Sequence, residues 1–293
     1  MRRMRLVAGL LSLLVIAAAC GDDGGDGGGN GGGGGGGDDL LSLIQDRGTI
    51  IASTDPAYPP QSSQNKEGEF EGFDIDVINE IADRLGVEVE YETPPFDAIT
   101  GGSWSGRWDM SVGSITITPE RQEVLEFTPP YYYTPASAAV HEDNTDITDV
   151  TTDLDGKKIG VCQECSYQLF LEKKLKIPGE EFDFVVDDAD VKVYNTDTTA
   201  IQDLALGDGD RLDAVMSALP TLDNAAKEGQ PIKVVGDPLF YEPLGIAFDK
   251  DSPIDNSSLV EEVTRIVEEM HADGTLTEFS KKWYDGIDLT KKQ

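Results

Sequence analysis

Cysteine and histidine are scarce in this chain of 293 residues, with three cysteines and two histidines. A structural zinc site needs four such ligands, and outside the C-x-x-C pair Cys162 and Cys165 the chain offers only Cys20 and two isolated histidines. We therefore expect no metal site. The C-x-x-C pair is interpreted as a local disulfide, with free thiols as the alternative.

Basic residues are also few, since 23 lysines and arginines stand against 56 aspartates and glutamates, for a net charge of −33. A nucleic-acid-binding surface needs a basic footprint to neutralise phosphates. We therefore expect no nucleic acid as partner. The acidic excess says little about a small ligand, because most of it is expected on the solvated surface.

Long apolar runs are missing after the first 20 residues, so we expect no membrane-spanning helix there. The start has three arginines, an apolar run over 6–16 and three alanines before Cys20, which is the order of a secretory signal peptide over 1–19. A cysteine directly after the small residues is typical of a bacterial lipoprotein. We predict that Cys20 is lipidated; a plain secretory signal with an incidental cysteine is the alternative.

Residues 21–39 contain only Gly, Asp and one Asn. Such a segment has no apolar surface to bury and cannot form a core. We predict that 20–39, the lipidated cysteine included, is a flexible tether. The folded part is then held at the extracytoplasmic face of a bacterial cell membrane.

Strand-like and helix-like stretches alternate through the rest of the chain. This alternation indicates an α/β fold with parallel sheets, in which ligands bind near the carboxyl ends of strands. No G-x-G-x-x-G or P-loop pattern follows these strands, so we expect no nucleotide cofactor. The predicted strands cover 48–53, 87–91, 108–112, 158–161, 191–194, 214–217 and 232–235. The predicted helices lie between the caps Asp74 and Gly86, over 166–175, 198–206 and 220–228, and near the end, where Leu259, Val263, Ile266 and Met270 recur on one face.

A distinctive stretch runs from Trp108 to Arg121. Thr118 can cap a helix that begins at Pro119, which places Arg121 in the first turn. Arginine is unusual there, because the helix dipole favours acids at that end. Beside free backbone N–H groups, its guanidinium makes a receptor for a carboxylate. A surface arginine paired with a neighbouring glutamate is the alternative.

An ordered set of short motifs extends from this stretch in both directions. In chain order they are Asp55-Pro56-Ala57-Tyr58-Pro59-Pro60, Gly72-Phe73-Asp74-Ile75-Asp76, Gly106-Arg107-Trp108-Asp109, Ile115-Thr116-Ile117-Thr118-Pro119-Glu120-Arg121, Leu154-Asp155-Gly156-Lys157, Leu212-Asp213-Ala214-Val215, Ala272-Asp273-Gly274-Thr275 and Lys282-Trp283. Through this set the chain, from 40 to 293, resembles the bacterial extracellular solute-binding proteins of family 3, which serve polar-amino-acid ABC transporters.

The resemblance implies a two-lobed α/β fold of periplasmic-binding-protein type II, the Venus flytrap, with the ligand in the cleft. Lobe one would comprise 40–137 plus 244–293, and lobe two 138–243. Two hinge crossover strands would fall near 135–141 and 238–245. Closing the cleft would dehydrate the ligand and strengthen its charged hydrogen bonds.

The resemblance also implies ligand-binding residues. Arg121 would hold the ligand carboxylate, beside backbone groups of Ser114 and Thr116. Two aromatic side chains, with core packing as the alternative, would flank the apolar part of the ligand. An aspartate, with a capping role as its alternative, would face the distal polar or cationic group. These three residues are Tyr58, Phe96 and Asp55.

Two departures from the family pattern fall in the second lobe. A Gly-Thr pair usually completes the carboxylate site there, whereas this chain has Cys162-Gln163-Glu164-Cys165-Ser166. The helix that follows would still offer N–H groups to an anion, so Cys165 and Ser166 belong to the predicted site. The aspartate that usually grips the α-ammonium is replaced by Ala218. Because a buried ammonium needs a partner, Glu164 or Asp55 substitutes, or the ligand lacks an ordinary α-amino group.

The function that the resemblance implies is capture of a small polar solute with a carboxylate, for delivery to an ABC permease. The solute would be an amino acid or a derivative. We expect a lipid-anchored monomer without cofactor and without enzymatic activity, since no nucleophile–base pair is evident. Alternatives are a ligand-sensing receptor subunit, which uses the same closure, and an enzyme such as a dehydratase on the same fold.

Overall fold

The structure is a computed structural model that describes residues 39–292. The predicted signal peptide, Cys20 and nearly all of the predicted tether lie outside the described residues. No helix within 39–292 has the length and apolarity needed to cross a membrane. The helices are α1 (Leu40–Arg47), α2 (Phe73–Leu85), α3 (Phe96–Thr100), α4 (Arg121–Val124), α5 (Ser166–Leu171), α6 (Asp197–Leu204), α7 (Leu219–Lys227), α8 (Ser257–Asp273) and α9 (Thr275–Trp283). The strands are β1 (Thr49–Ser53), β2 (Ala57–Tyr58), β3 (Ser62–Gln64), β4 (Phe70–Glu71), β5 (Glu88–Glu92), β6 (Met110–Thr116), β7 (Leu125–Phe127), β8 (Tyr132–His141), β9 (Lys158–Cys162), β10 (Asp190–Tyr194), β11 (Ala214–Ala218) and β12 (Ile232–Asp249).

One large mixed sheet has the strand order β10-β9-β11-β8-β12-β6-β1-β5, with β7 beside β12. Its centre is the antiparallel pair of the long strands β8 and β12, from Tyr132 opposite Leu244 to His141 opposite Ile232. β11 pairs with β8 on one side, and β6 pairs with β12 on the other. The two long strands therefore connect two groups of strands, as the predicted crossovers require.

Two lobes are visible in the packing of apolar side chains. The first lobe has a core between α2, α8, α9 and the strands β1 and β6, with Phe73, Tyr131 and Tyr132 among its fully buried side chains. The second lobe has a separate core around α5, β9 and β11, which includes Phe170 and Met216. The two-lobed α/β fold agrees with the predicted class, and the residue boundaries of the lobes stay a prediction.

The apolar stripe predicted near the end of the chain is confirmed. Leu259, Val263, Ile266 and Met270 are fully buried on α8, against the core of the first lobe. α2 ends at the predicted glycine, Gly86, whose φ of 74° is left-handed.

The start of α2 differs from the prediction, because its N-cap is Gly72 and Asp74 lies inside the first turn. A Cβ on Gly72 would come within 2.3 Å of the backbone oxygen of Gln61, at a φ of 137°, so only glycine fits. The carboxylate of Asp74 is buried in the first lobe and has no capping role. It accepts hydrogen bonds from the hydroxyls of Tyr131, at 2.7 Å, and Ser114, at 2.8 Å.

Candidate functional site

A cavity lined by residues of both lobes lies between them. Many of its lining residues follow a strand or begin a helix, as expected for a ligand site in an α/β fold. The structure brings together these predicted site residues: Asp55, Tyr58, Phe96, Ser114, Thr116, Cys165 and Ser166. Lining residues that were not predicted as ligand-binding are Gly113, Cys162, Tyr167, Asn195, Thr196, Asp197 and Glu242.

Two aromatic side chains border the cavity where the apolar part of a ligand was predicted. Tyr58 is buried, and its hydroxyl lies 3.3 Å from the hydroxyl of Tyr167 in the second lobe. Phe96 is the first residue of α3 and is half-buried, with the Arg121 Cζ 5.1 Å from its ring centroid. Contact with a ligand remains a prediction for both rings.

Further hydrogen bonds cross between the lobes at this end of the cleft. The Thr198 hydroxyl donates to the carbonyl of Ala57 at 2.6 Å, and the Thr221 hydroxyl donates to the side chain of Gln61 at 3.1 Å. Together with the tyrosine pair they hold the lobes in contact. The structure is therefore a closed form.

Arg121 is buried, being 5% exposed, but it is not among the lining residues. Its Nη1 donates to the carbonyl of Thr116 at 2.9 Å, and its Nη2 donates to the carbonyl of Glu164 in the second lobe at 3.0 Å. A guanidinium has five N–H donors, so three remain without a protein acceptor among residues 39–292. The helix predicted to start at Pro119 starts at Arg121 itself, and the Thr118 hydroxyl accepts its backbone N–H at 3.2 Å.

Ser114 lines the cavity, but its polar groups already have protein partners. Its backbone N–H donates to the Tyr131 hydroxyl at 3.2 Å, and its own hydroxyl donates to Asp74. Burial raises the pKa of Asp74 to about 7, against the lowering effect of these hydroxyl donors. The Ser114 N–H is therefore not available to a ligand carboxylate as predicted.

Glu164 is exposed and is not among the lining residues. Its φ is 55°, its backbone N–H donates to the Gln168 side chain at 2.6 Å, and its carbonyl accepts from Arg121. Glu164 therefore contributes its backbone N–H and carbonyl to hydrogen bonds, whereas its side-chain carboxylate was predicted to bind the ligand. The structure thus does not support Glu164 as the partner of a ligand ammonium.

Glu242, on β12, is a lining acid that was not predicted and is 2% exposed. Its carboxylate accepts the hydroxyls of Thr116, at 2.8 Å, and Thr134, at 3.4 Å, and also that of Ser166. The predicted site residues Thr116 and Ser166 are therefore bonded to an acid of the protein itself. Its place within the predicted crossover over 238–245 was the one available signal in the sequence.

Asp197 is a second lining acid that was not predicted, and it is 6% exposed. It begins α6, and its Oδ1 accepts the Ser217 hydroxyl at 2.5 Å. Burial raises the pKa of Asp197 to about 7, opposed by the serine donor and reinforced by the negative charges of Asp55 and Glu242. Asp197 follows a predicted strand, so the strand-end rule could have identified it.

Asp55 lines the cavity from the first lobe, two residues after β1 ends. Its Oδ1 accepts the backbone N–H of Ala57 at 2.7 Å, and burial raises its pKa despite that hydrogen bond. Across the cavity, Cys162 ends β9 and Cys165 caps α5, with their sulfur atoms at bonding distance and their Cα atoms 5.6 Å apart. Both cysteines line the wall of the second lobe.

Comparison with known proteins gives consistent results. The model of the family described as bacterial extracellular solute-binding proteins, family 3, matches residues 50–286. The L-cystine-binding protein TcyJ of Escherichia coli K12 is 31% identical over 253 residues, which cover 86% of this chain and 88% of that protein. The solved structure of an ancestral arginine-binding protein bound to arginine superposes with a TM-score of 0.68 at 33% identity, covering 81% of this chain and 99% of that one. The ancestral amino acid-binding protein AncCDT-1, described as a precursor of cyclohexadienyl dehydratase, gives a TM-score of 0.71 at 29% identity, covering 83% of this chain and 99% of that one.

Proposed function

Because this chain belongs to family 3 of the bacterial extracellular solute-binding proteins, we propose that it captures an amino acid outside the cell and delivers it to an ABC importer. The relatives support this, since they include proteins named for binding L-cystine and arginine. The observation that carries the proposal is the cavity between the lobes, which combines two aromatic faces with buried charged groups. Such a mixture suits a small polar molecule with an apolar part.

Arg121 is assigned to the carboxylate of the amino acid. Its pKa is lowered by burial to about 10, so the guanidinium stays charged at neutral pH. The three N–H groups that have no acceptor among the described residues provide the donors for a charge-assisted pair. The two N–H groups that bond Thr116 and Glu164 hold the guanidinium at the boundary of the lobes. A ligand bound there would join the lobes through the same residue.

The remaining assignments follow from which residues line the cavity. Tyr58 and Phe96 flank the apolar part of the ligand, and Asp55 faces its distal group. The wall of the second lobe is formed by the Cys162–Cys165 disulfide, which an extracytoplasmic environment keeps oxidised. The protein acts as a lipid-anchored monomer, attached through Cys20 and the tether of 20–39, and is not an enzyme.

A thermal-shift screen tests the proposed function. The full mature chain is melted with a panel of free amino acids and, as controls, with sugars and with dicarboxylic acids that lack an amino group. Because a ligand that binds only the folded state must raise the melting temperature, at least one amino acid is expected to stabilise the protein while the controls do not. A panel in which no amino acid raises the melting temperature would contradict the function.

A chemical control separates binding from catalysis. The amino acid that stabilises the protein is incubated with it, released by denaturation and analysed by mass spectrometry. Recovery of the unchanged amino acid is expected of a binding protein. Conversion to a product of lower mass would favour an enzyme, a reading suggested by the dehydratase lineage of AncCDT-1.

A further inference from the structure

The strand end where the family pattern implies an ammonium-binding aspartate carries no acid in this chain. β11 ends at Ala218, which is fully buried in the apolar core of the second lobe. The preceding residue, Ser217, donates its hydroxyl to Oδ1 of Asp197 at 2.5 Å. A carboxylate of α6 therefore lies beside the end of the strand from which the carboxylate is missing.

Asp197 faces the cavity with one oxygen still free. Its Oδ1 is bonded to Ser217, but its Oδ2 accepts no hydrogen bond from another residue in the part of the chain that the structure describes. The residue is 94% buried, as its 6% exposure implies. It lines the same cavity as Asp55, whose Oδ1 accepts the Ala57 N–H and whose Oδ2 has no donor among residues 39–292.

The third lining acid differs from these two. The carboxylate of Glu242 already accepts hydroxyls of Thr116, Thr134 and Ser166. It also lies near enough to Arg121 to raise the pKa of that guanidinium against the effect of burial. Glu242 is thus satisfied by the protein, which leaves two lining carboxylates with unused oxygens.

Within the described part of the chain, no cation pairs with either of these two carboxylates. The lining residues include no Lys, Arg or His, and within 39–292 no salt bridge involves Asp55 or Asp197 (the ion pairs of the structure are all formed elsewhere). A buried carboxylate is costly without a cation or a full set of donors. A ligand that carries positive charge would therefore stabilise both acids in their ionised form.

A metal ion does not fit this arrangement. Among the described residues, no three Asp, Glu, His or Cys side chains are grouped closely enough to hold one. The two carboxylates instead approach the cavity from opposite lobes, one after β1 and one at the start of α6. An organic molecule with two positive groups can pair with both.

We propose that Asp197 binds the α-ammonium of the ligand in place of the acid missing at Ala218. Asp55, which the family resemblance already implies at the distal group of the ligand, is then left to a second positive charge on the side chain, so that the cavity favours amino acids with a cationic side chain. This proposal rests on the proposed function, since it assigns the three charged groups of an amino acid to three residues of the protein. Arg121 receives the carboxylate, Asp197 the ammonium and Asp55 the side-chain cation.

Two amino acids of almost equal shape test the charge preference. L-Arginine and L-citrulline share the α-amino and α-carboxyl groups, and only arginine carries a charged side chain. Titration calorimetry on the full mature protein is expected to show arginine binding at least about 30-fold more tightly, as a charge-assisted hydrogen bond to a buried acid predicts. Equal affinity, or tighter binding of citrulline, would overturn the charge preference while leaving the proposed function intact.

Two substitutions separate the roles of the acids. D197N removes the partner of the ammonium, which both ligands have, so it should weaken both by a similar factor of about 10 to 100. D55N removes the partner of the side-chain cation, so it should weaken arginine alone and bring the two affinities together. D188N is the matched control, because Asp188 is an exposed acid of the second lobe, and it should change neither.

The controls distinguish the possible failures. D197N without ligand should melt no lower than the wild type at pH 8, because asparagine has no charge to desolvate; a lower melting point would reveal a structural role for Asp197 instead. Unchanged arginine affinity in a folded D197N variant would overturn the ammonium assignment. Binding of neutral amino acids alone would overturn the cationic ligand class, and binding of no amino acid would overturn the proposed function with it.

Discussion

Two buried aspartates, one in each lobe, differ in the partners of their carboxylate oxygens. Asp74 in the first lobe and Asp197 in the second both have a pKa raised by burial to about 7. Asp74 is enclosed, with each carboxylate oxygen bonded to a hydroxyl of the protein. Asp197 has one such bond and faces the cavity with its other oxygen. The raised pKa reports burial in both cases, and only the unused oxygen marks a group that can bind something else.

The same contrast extends to the two walls of the cavity. The wall of the first lobe follows the family pattern, with Asp55, Tyr58 and Phe96 at the positions that the resemblance implies. The wall of the second lobe departs from it at the cysteine pair and at Ala218. Under the proposal above, the first lobe holds the side-chain group that distinguishes amino acids, through Asp55, and the second lobe holds the α-ammonium that they share, through Asp197.

Replacing Asp74 or Asp197 by alanine should give the largest difference between the two aspartates. D74A leaves the hydroxyls of Tyr131 and Ser114 buried without their acceptor, so it should lower the free energy of unfolding by about 2–4 kcal/mol. D197A leaves only one buried hydroxyl, that of Ser217, without its acceptor, so it should lower that free energy by about half as much, about 1–2 kcal/mol. Urea unfolding of the two unliganded variants at neutral pH measures both. Equal losses would mean that Asp197 is as much a structural residue as Asp74.

Arg121 is the next test, because its side chain hydrogen-bonds backbone carbonyls of both lobes and is proposed to bind the ligand carboxylate. R121A should weaken amino-acid binding by about 1.5–3 kcal/mol, or roughly 10- to 100-fold, as expected for loss of a charge-assisted pair. Calorimetry with the stabilising amino acid measures this. R265A removes an exposed arginine of α8 and is the control for charge alone. Wild-type affinity in R121A would contradict the carboxylate assignment. The guanidinium would then serve only to hydrogen-bond the carbonyls of Thr116 and Glu164.

The pH dependence of binding is a further test of the difference between the two aspartates, since Asp197 lines the cavity and Asp74 does not. Above its pKa of about 7, Asp197 is ionised and ready for a cation. Below that pH it must release a proton on binding, so the apparent affinity for L-arginine should fall by up to about tenfold per pH unit toward pH 6. The other titratable groups around it, Asp55, Glu242, Tyr58 and Tyr167, remain in D197N.

D197N should therefore flatten most of this pH dependence, whereas D188N should retain it. A dependence that persists unchanged in D197N would assign the proton to another carboxyl group, with Asp55 the first to examine. Calorimetry in two buffers of different ionisation enthalpy counts the released proton directly.

The sequence allowed local features to be predicted and left contact-dependent ones open. The buried stripe of α8 and the glycine that ends α2 depend on spacing and on backbone conformation, which are readable from a single chain. Gly72 is the N-cap of α2 because the backbone of Gln61 passes close to it. Such a close approach leaves no periodic pattern in the sequence. One N–H donor of Arg121 bonds the carbonyl of Glu164, 43 residues away. That contact depends on how the two lobes meet, which the sequence does not reveal.

Removing the cysteine pair is expected to have the smallest effect on binding, and it tests how the wall of the second lobe contributes to the site. C162S/C165S removes a link that closes a very short loop, worth about 2 kcal/mol of stability in the chain-entropy model. The groups that bind ligand charge, Asp55, Asp197 and Arg121, are held by other elements, so arginine affinity should change by less than about threefold. A loss beyond about tenfold would show that the disulfide positions the Glu164 carbonyl, which bonds Arg121. The second wall would then shape the carboxylate site as well as the ammonium site.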